Sequence, residues 1–243
     1  MASVREIMEY AEERTQLDVI AIADHDQVRG ALEAVEWCAG RPRCRVQAIV
    51  ATEISAAWGR HLLAFFFQEP YPTRPFPRHR SVRRTIQLVE DAGGVVAIPH
   101  PLSVLVPSIG ERALAGLLDG LAAQTAVHAV EVCSRVVGGR RAEGRLRRLN
   151  DTVWGLASLG NSDAHHIQQI GSAFTSYPGR SAAELQRAIL ERTTLAHWGE
   201  AAQVSVLDHA RQNWRSLVVK PLRELRAVLG GEAVAPLSAA ARS

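Results

Sequence analysis

The sequence has little of several features that would each indicate a particular class of protein. Its three cysteines are odd in number and lack CxxC spacing, which predicts buried or incidental thiols in a reducing cytoplasm. No apolar run approaches the roughly 18 residues of a membrane span, and the charged N-terminal segment is unlike a secretory signal. Aromatic residues make up only 5% of the chain, and no basic–aromatic pattern favours binding of duplex DNA or single strands.

Lysine is nearly absent, because Lys220 is the only one, and arginine carries most of the positive charge. The five arginines between residues 140 and 148 fit a solvated helix face, while a rim that attracts phosphate or nucleic acid is the alternative. The 243 residues are 47% apolar, which is enough to bury a core without disulfides.

Short β-rich runs alternate with helical patterns over residues 1–200. The strands are predicted at 18–23, 45–51, 61–67, 94–98, 128–133 and 154–159. The helices are predicted at 4–14, 29–39, 81–92, 111–123, 139–150 and 181–191. This alternation predicts an α/β barrel domain with a parallel sheet. Residues 201–243 predict a C-terminal helical extension with a frayed tail, which packs against the barrel or forms an oligomer interface.

Ionisable side chains stand at or beside the ends of these strands, where barrel enzymes usually carry their chemistry. They are His25, Glu53, His61, His100, Asp163 and His165. Imidazoles and carboxylates together suit Zn²⁺, Mn²⁺ or Fe²⁺ better than Ca²⁺ or Mg²⁺. The set exceeds what one tetrahedral ion needs, so we expect two or three ions with a shared carboxylate. Each residue alone also fits a turn, cap or surface position, but their recurrence at successive strand ends favours the metal interpretation.

The motifs IAIADHD, ATEISAAWGRHLLAFF, GGVVAIPHP, HAVEVCS and LGNSDAHHIQQIGSAFTSYPG resemble, in order, those of the PHP (polymerase and histidinol phosphatase) family. The segment from Glu53 to His61 is most similar to small members that act on nucleotide bisphosphates and short oligoribonucleotides. The resemblance implies a distorted (βα)₇ barrel with up to three ions. It implies that Glu53 bridges two ions, that His61 and His100 complete one, that Asp163 binds the other, and that His25 and His165 share a third. It also implies that Ser134 and Asn161 lie near the substrate.

The sequence departs from the family pattern in two ways. The family's opening strand carries an HxH pair, which this sequence does not contain, so we expect that Met1 is a misplaced start and that the barrel lacks its first strand. Such a chain would bind fewer ions and catalyse poorly, and its exposed strand edges would favour a homo-oligomer. The second departure is Ala23, where the family usually has threonine; this change is conservative in size.

These observations predict a metal-dependent phosphoester hydrolase that attacks a small phosphorylated or nucleotide substrate with a metal-bound hydroxide. Asp26 and His166 are candidate acid/base or outer-shell groups. The candidates for substrate contact are Arg60, Arg78, His79, Ser134 and Arg135, although each also fits a surface position. A metal-dependent amide or lactone hydrolase and a metal-binding module without catalysis stay open as alternatives.

Overall fold

A computed structural model describes residues 2–103, 106, 108–120 and 126–200. The helical extension predicted for residues 201–243 lies outside the described residues. The helices are α1 (Val4–Arg14), α2 (Arg29–Ala39), α3 (Val82–Asp91), α4 (Glu111–Asp119), α5 (Gly139–Leu149) and α6 (Ala182–Glu191). The strands are β1 (Val19–Ile22), β2 (Gln47–Ser55), β3 (His61–Phe66), β4 (Val95–Ile98), β5 (Ala129–Ser134), β6 (Ala157–Asn161), β7 (Ala173–Ser176) and β8 (Leu195–Trp198).

Capping side chains in the sequence set the beginnings of several helices. Ser3 accepts a hydrogen bond from the Glu6 amide, and the Glu6 carboxylate accepts one from the Ser3 amide, which forms a capping box at the start of α1. Ser181 and Glu184 form the same arrangement before α6. Such caps satisfy backbone donors that the first helical turn leaves free. The predicted bounds of α1 accordingly coincide with the observed ones. Those of α2 coincide as well, although Val28 at its start makes no capping hydrogen bond with its side chain.

Six strands form one sheet in the order β1 to β6, curled into a half-barrel. The pairs β1–β2, β4–β5 and β5–β6 are parallel. Strand β3 runs antiparallel to both of its neighbours, so the prediction of a parallel sheet is wrong for this strand. The reason is the connection from β2 to β3, a tight turn around Ala57–Gly59, which is too short for the crossover that parallel strands need. The fold is therefore mixed α/β.

Strands β7 and β8 form a separate antiparallel pair beside β6, and the sequence pattern predicts neither of them. Their sequences, AFTS and LAHW, mix polar with apolar residues, so neither forms an apolar run, whereas the equally short β1 and β4 are apolar throughout. The strand predicted at 154–159 is displaced as well, because Asn150–Trp154 forms a π-helical turn and β6 begins at Ala157. The end of β6 consequently lies at Asn161, immediately before the loop that carries Asp163.

Gly160 allows the close approach of β6 and β7. Its amide donates to Thr175 Oγ1 at 3.0 Å, and a Cβ at this position would lie 2.1 Å from the Phe174 carbonyl oxygen. No side chain fits in that space unless the backbone moves.

The Gly160→Ala variant is therefore expected to be destabilised by about 1–3 kcal/mol, the usual cost of overpacking. Urea unfolding followed by circular dichroism measures the difference. Gly116→Ala is the matched control, because Gly116 lies within α4, where an added Cβ would meet no atom of another element within 4 Å among the described residues, and alanine favours helices. Equal unfolding midpoints for the two variants would contradict the packing argument.

The main core lies between the sheet and the helices that cover it. Helix α3 contributes Val82, Ile86 and Val89, and α4 contributes Leu114 and Leu117. The strands β4 and β5 are buried along their whole length, as expected for a sheet covered on both faces. Among the described helices, none is long and apolar enough to span a lipid bilayer.

Candidate metal centre

The reversed direction of β3 brings the beginning of this strand to the edge of the sheet where its neighbours end. Ser55, at the end of β2, pairs with His61, the first residue of β3. A single bridge also pairs His25, which follows β1, with Glu53. His100 follows the end of β4. Residues at three strand ends and one strand beginning therefore converge at one edge.

The Glu53 carboxylate lies at the centre of this group. Its Oε1 is 2.9 Å from His61 Nδ1 and 3.4 Å from His100 Nε2. Its Oε2 is 3.6 Å from His25 Nε2. One ligand atom from each of His25, Glu53 and His61 lies within 4.8 Å of the other two. Four of the six predicted metal ligands thus lie together: the Glu53 carboxylate and the three imidazoles around it.

The charges of the centre show how strongly the imidazoles and the carboxylate interact. Burial raises the pKa of Glu53, but hydrogen bonds with His100 and His61 and the charges of His25 and His61 lower it more, so the pKa lies well below its usual range. Burial lowers the pKa of His100, but the hydrogen bond to Glu53 and the charges of Glu131 and Asp163 raise it above its ordinary value. The Glu53 carboxylate therefore favours the protonated form of His100, and a cation bound by this set would displace that proton.

The residues present fit a divalent transition-metal ion. Imidazole nitrogens and a carboxylate are the donor set that such ions prefer. His100 Nδ1 is buried and has no hydrogen-bond partner among the described residues, and a buried polar atom of this kind is costly unless something pairs with it. The geometry therefore supports a cation site at this edge of the sheet.

Asp163 and His165, the other two predicted ligands, follow β6. Asp163 is close enough to His100 for its charge to raise the pKa of that imidazole. His165 Nδ1 lies 2.9 Å from the Asp163 carbonyl oxygen and 3.8 Å from its carboxylate. Their side chains are 38% and 30% exposed for His165 and Asp163, which places this pair at a more open part of the centre than Glu53.

Three of the loops at this edge have an uncommon backbone conformation. Asp26, His100 and Asp163 have φ values of 52°, 32° and 44°, in the left-handed region that residues other than glycine rarely adopt. Such conformations persist only where the surrounding structure holds them, and they concentrate at functional sites. The backbone is thus shaped to direct these side chains.

Asp26 is buried, and both of its carboxylate oxygens are engaged. Oδ1 accepts a hydrogen bond from the Ser55 amide at 2.7 Å, and Oδ2 accepts one from the Ser55 hydroxyl at 2.8 Å. Arg78 Nε lies 3.0 Å from the same Oδ2. Asp26 therefore ties the end of β2 to the loop of Arg78, which is a positioning role.

The remaining predicted site residues divide by burial. Ser134 Oγ and His166 Nε2 are buried and have no hydrogen-bond partner among the described residues. His79 is exposed and its amide donates to the Ser55 carbonyl at 2.8 Å. Arg60 lines a cavity of about 300 Å³ between α3 and α4, and Arg135 is half-buried just after β5. The arginines and His79 can thus reach solvent near the ends of the strands.

Glu131 is a residue of this edge that the sequence pattern does not single out. It lies inside β5 and is fully buried. Its two oxygens accept hydrogen bonds from the His100 amide, at 2.9 Å, and from Asn161 Nδ2. Burial raises its pKa to about 7. The sequence feature that could have identified Glu131 is a carboxylate within an apolar strand, because glutamate is almost never fully buried unless it is paired.

Comparison with known proteins finds similarity over parts of the chain. Residues 151–194 match a family model described as PHP-associated. An uncharacterized protein of Methanocaldococcus jannaschii is 27% identical over 124 residues, which cover 51% of this chain and 67% of that protein.

Two solved structures have a similar fold. One is a two-domain protein of Bacteroides vulgatus that contains a predicted PHP-like metal-dependent phosphoesterase; it is 19% identical, with a TM-score of 0.56 over 81% of this chain. This chain spans only 59% of that protein. The other is a candidate metal-dependent phosphoesterase of Bifidobacterium adolescentis, 17% identical, with a TM-score of 0.55 over 86% of this chain and 93% of that one. At such identities the likeness concerns the fold.

Proposed function

We propose that this chain is a metal-dependent phosphoester hydrolase of the PHP family, a proposal supported by its PHP-associated match over residues 151–194 and by its likeness in fold to a protein with a predicted PHP-like domain. The observation that carries the proposal is the Glu53 carboxylate, surrounded by three imidazoles at one edge of the sheet. The Glu53 side chain is only 12% exposed, and a charge at this depth is costly unless it has partners. A carboxylate among imidazoles is an ordinary arrangement for holding a cation.

His25, Glu53, His61 and His100 would hold the ions, with Asp163 and His165 as further ligands. Divalent ions at such a site lower the pKa of water and stabilise negative charge on phosphoryl and leaving oxygens. We propose Zn²⁺, Mn²⁺ or Fe²⁺, because the donors are mostly imidazoles.

The other polar residues at this edge bind and orient the substrate. Arg60, Arg78 and Arg135 present guanidinium groups, whose planar fork matches phosphate oxygens. Asp26 fixes the direction of the Arg78 guanidinium through their ion pair. The buried hydroxyl of Ser134 offers a hydrogen bond to the substrate, and His166 is the proposed proton donor or acceptor.

The finer predictions remain part of this proposal. They comprise a small phosphorylated or nucleotide substrate, a cytoplasmic location and a homo-oligomer. They also include the sevenfold barrel count.

The experiment is a substrate screen on protein loaded separately with Zn²⁺, Mn²⁺ and Fe²⁺. Phosphomonoesters, nucleotide bisphosphates and short oligoribonucleotides are tested beside amide and lactone substrates. We expect phosphoester hydrolysis that chelation and His61→Ala abolish. His197→Ala is the matched control, because His197 bonds Ser176 in the β7–β8 pair and should keep activity. Cleavage of amides or lactones alone would refute the proposal, and so would bound metal without any turnover.

A further inference from the structure

We infer that Glu131 is a positioning residue that, together with Asn161, holds the backbone of His100 and Asp163 in the conformation that the metal centre requires. The inference rests on the proposed function for the identity of the two ligands. It assigns a role to a buried carboxylate whose two oxygens bond the His100 amide and the Asn161 side chain.

The contacts form a continuous relay across three neighbouring strands. The His100 amide, after β4, donates to Glu131 Oε2 at 2.9 Å. Asn161 Nδ2, at the end of β6, donates to Glu131 Oε1. Asn161 Oδ1 in turn accepts a hydrogen bond from the Asp163 amide at 3.0 Å. One end of the relay is therefore the amide of His100 and the other is the amide of Asp163.

These two amides belong to residues with strained backbone. His100 has a φ of 32° and Asp163 a φ of 44°, and neither value is usual for a residue with a side chain. A residue in this conformation turns its amide away from the regular ladder of the sheet, so the amide needs another acceptor. The relay supplies the acceptor in both cases, which stabilises the turn at each ligand.

The donor and acceptor directions of these hydrogen bonds explain why a carboxylate occupies position 131. Glu131 must accept two hydrogen bonds, whereas Asn161 donates one and accepts one. A glutamine at position 131 has the same shape but offers only one acceptor oxygen. It would leave either the His100 amide or the Asn161 amide group facing another donor.

The directions of these hydrogen bonds also provide a test that separates a positioning role from a general effect on stability. In the double variant Glu131→Gln with Asn161→Asp, the new amide accepts from His100 and donates to the new carboxylate. That carboxylate still accepts from the Asp163 amide. All three hydrogen bonds are restored, only the one between positions 131 and 161 changes its direction, and the total charge of the pair is unchanged.

The readout is the affinity for Zn²⁺, measured by competition with a chelating dye for the wild type, both single variants and the double variant. Each single variant is expected to bind Zn²⁺ about 10- to 100-fold more weakly, the usual effect of residues that orient metal ligands. The double variant is expected to recover at least about tenfold. Glu143→Gln is the control, because Glu143 bonds Arg147 and Trp198 away from the centre and should leave the affinity unchanged.

Unchanged affinity in Glu131→Gln, or additive losses in the double variant, would overturn the inference. If Glu131→Gln does not fold, Asn161→Ala tests the inference instead. This variant removes the acceptor of the Asp163 amide, so the inference requires that it weaken Zn²⁺ binding. Failure of the proposed function has a different signature. A wild type that binds Zn²⁺ tightly, shows the rescue and hydrolyses no phosphoester supports the relay and refutes the hydrolase. A wild type that binds no ion refutes both.

Discussion

Replacing Glu53 by glutamine is expected to weaken divalent-metal binding by more than about 100-fold, because outer partners of metal ligands already cost 10- to 100-fold. The neutral amide has no charge with which to attract a cation, and it offers one acceptor oxygen where the carboxylate offers two. Metal-dependent hydrolysis should fall below detection. Isothermal titration with Zn²⁺ or Mn²⁺ and a phosphate-release assay measure the two effects.

The matched control for this prediction is Glu36→Gln. Glu36 is exposed on α2, so the same chemical change should alter neither affinity nor activity. Unfolding curves establish that both variants are folded. Tight metal binding in folded Glu53→Gln would show that the ions are bound elsewhere.

Replacing Asp26 by asparagine is expected to destabilise the protein by about 1.5–3 kcal/mol, the usual contribution of hydrogen bonds to a charged group. The amide can keep one acceptor for Ser55 but loses the ion pair with Arg78. Because Asp26 fixes the end of β2, two residues beyond Glu53, metal affinity should also fall by about tenfold. Urea unfolding and metal titration measure both changes.

The pH dependence of turnover separates positioning by Asp26 from proton transfer. Both of its oxygens are already occupied, so the variant should keep the shape of its kcat profile against pH. Arg78→Gln is the companion variant, with a smaller loss of stability, because the Arg78 side chain is 40% exposed. Loss of one limb of the profile in Asp26→Asn, with stability unchanged, would instead make Asp26 an acid or base.

Helices and their limits could be predicted from the sequence because local chemistry sets them. Capping residues such as Ser3 and the apolar spacing within each helix act over a few residues, and both are visible in the printed chain. The direction of β3 could not be predicted in the same way. An apolar run has the same pattern in either direction, and the predicted end of β2 at residue 51 concealed how short the connection to β3 is, because β2 continues to Ser55.

The centre itself could be predicted in part because its residues follow apolar strands. His25, Glu53 and His100 stand at such ends, and strand ends meet in space. Glu131 could not be found by that argument, since it lies within β5 and its partners come from two other strands. Strands β7 and β8 depend likewise on packing beside β6, which their mixed polar and apolar residues do not reveal.

The hairpin formed by β2 and β3 also bears on the order in which the centre assembles. Glu53 and His61 lie on adjoining strands joined by a tight turn, and hairpins close within microseconds. His100 is 47 residues beyond Glu53 along the chain, and contacts of such separation form later because their loop-closure entropy is larger. The folding chain therefore brings Glu53 and His61 together before His100 reaches them, so the centre assembles from its hairpin outward.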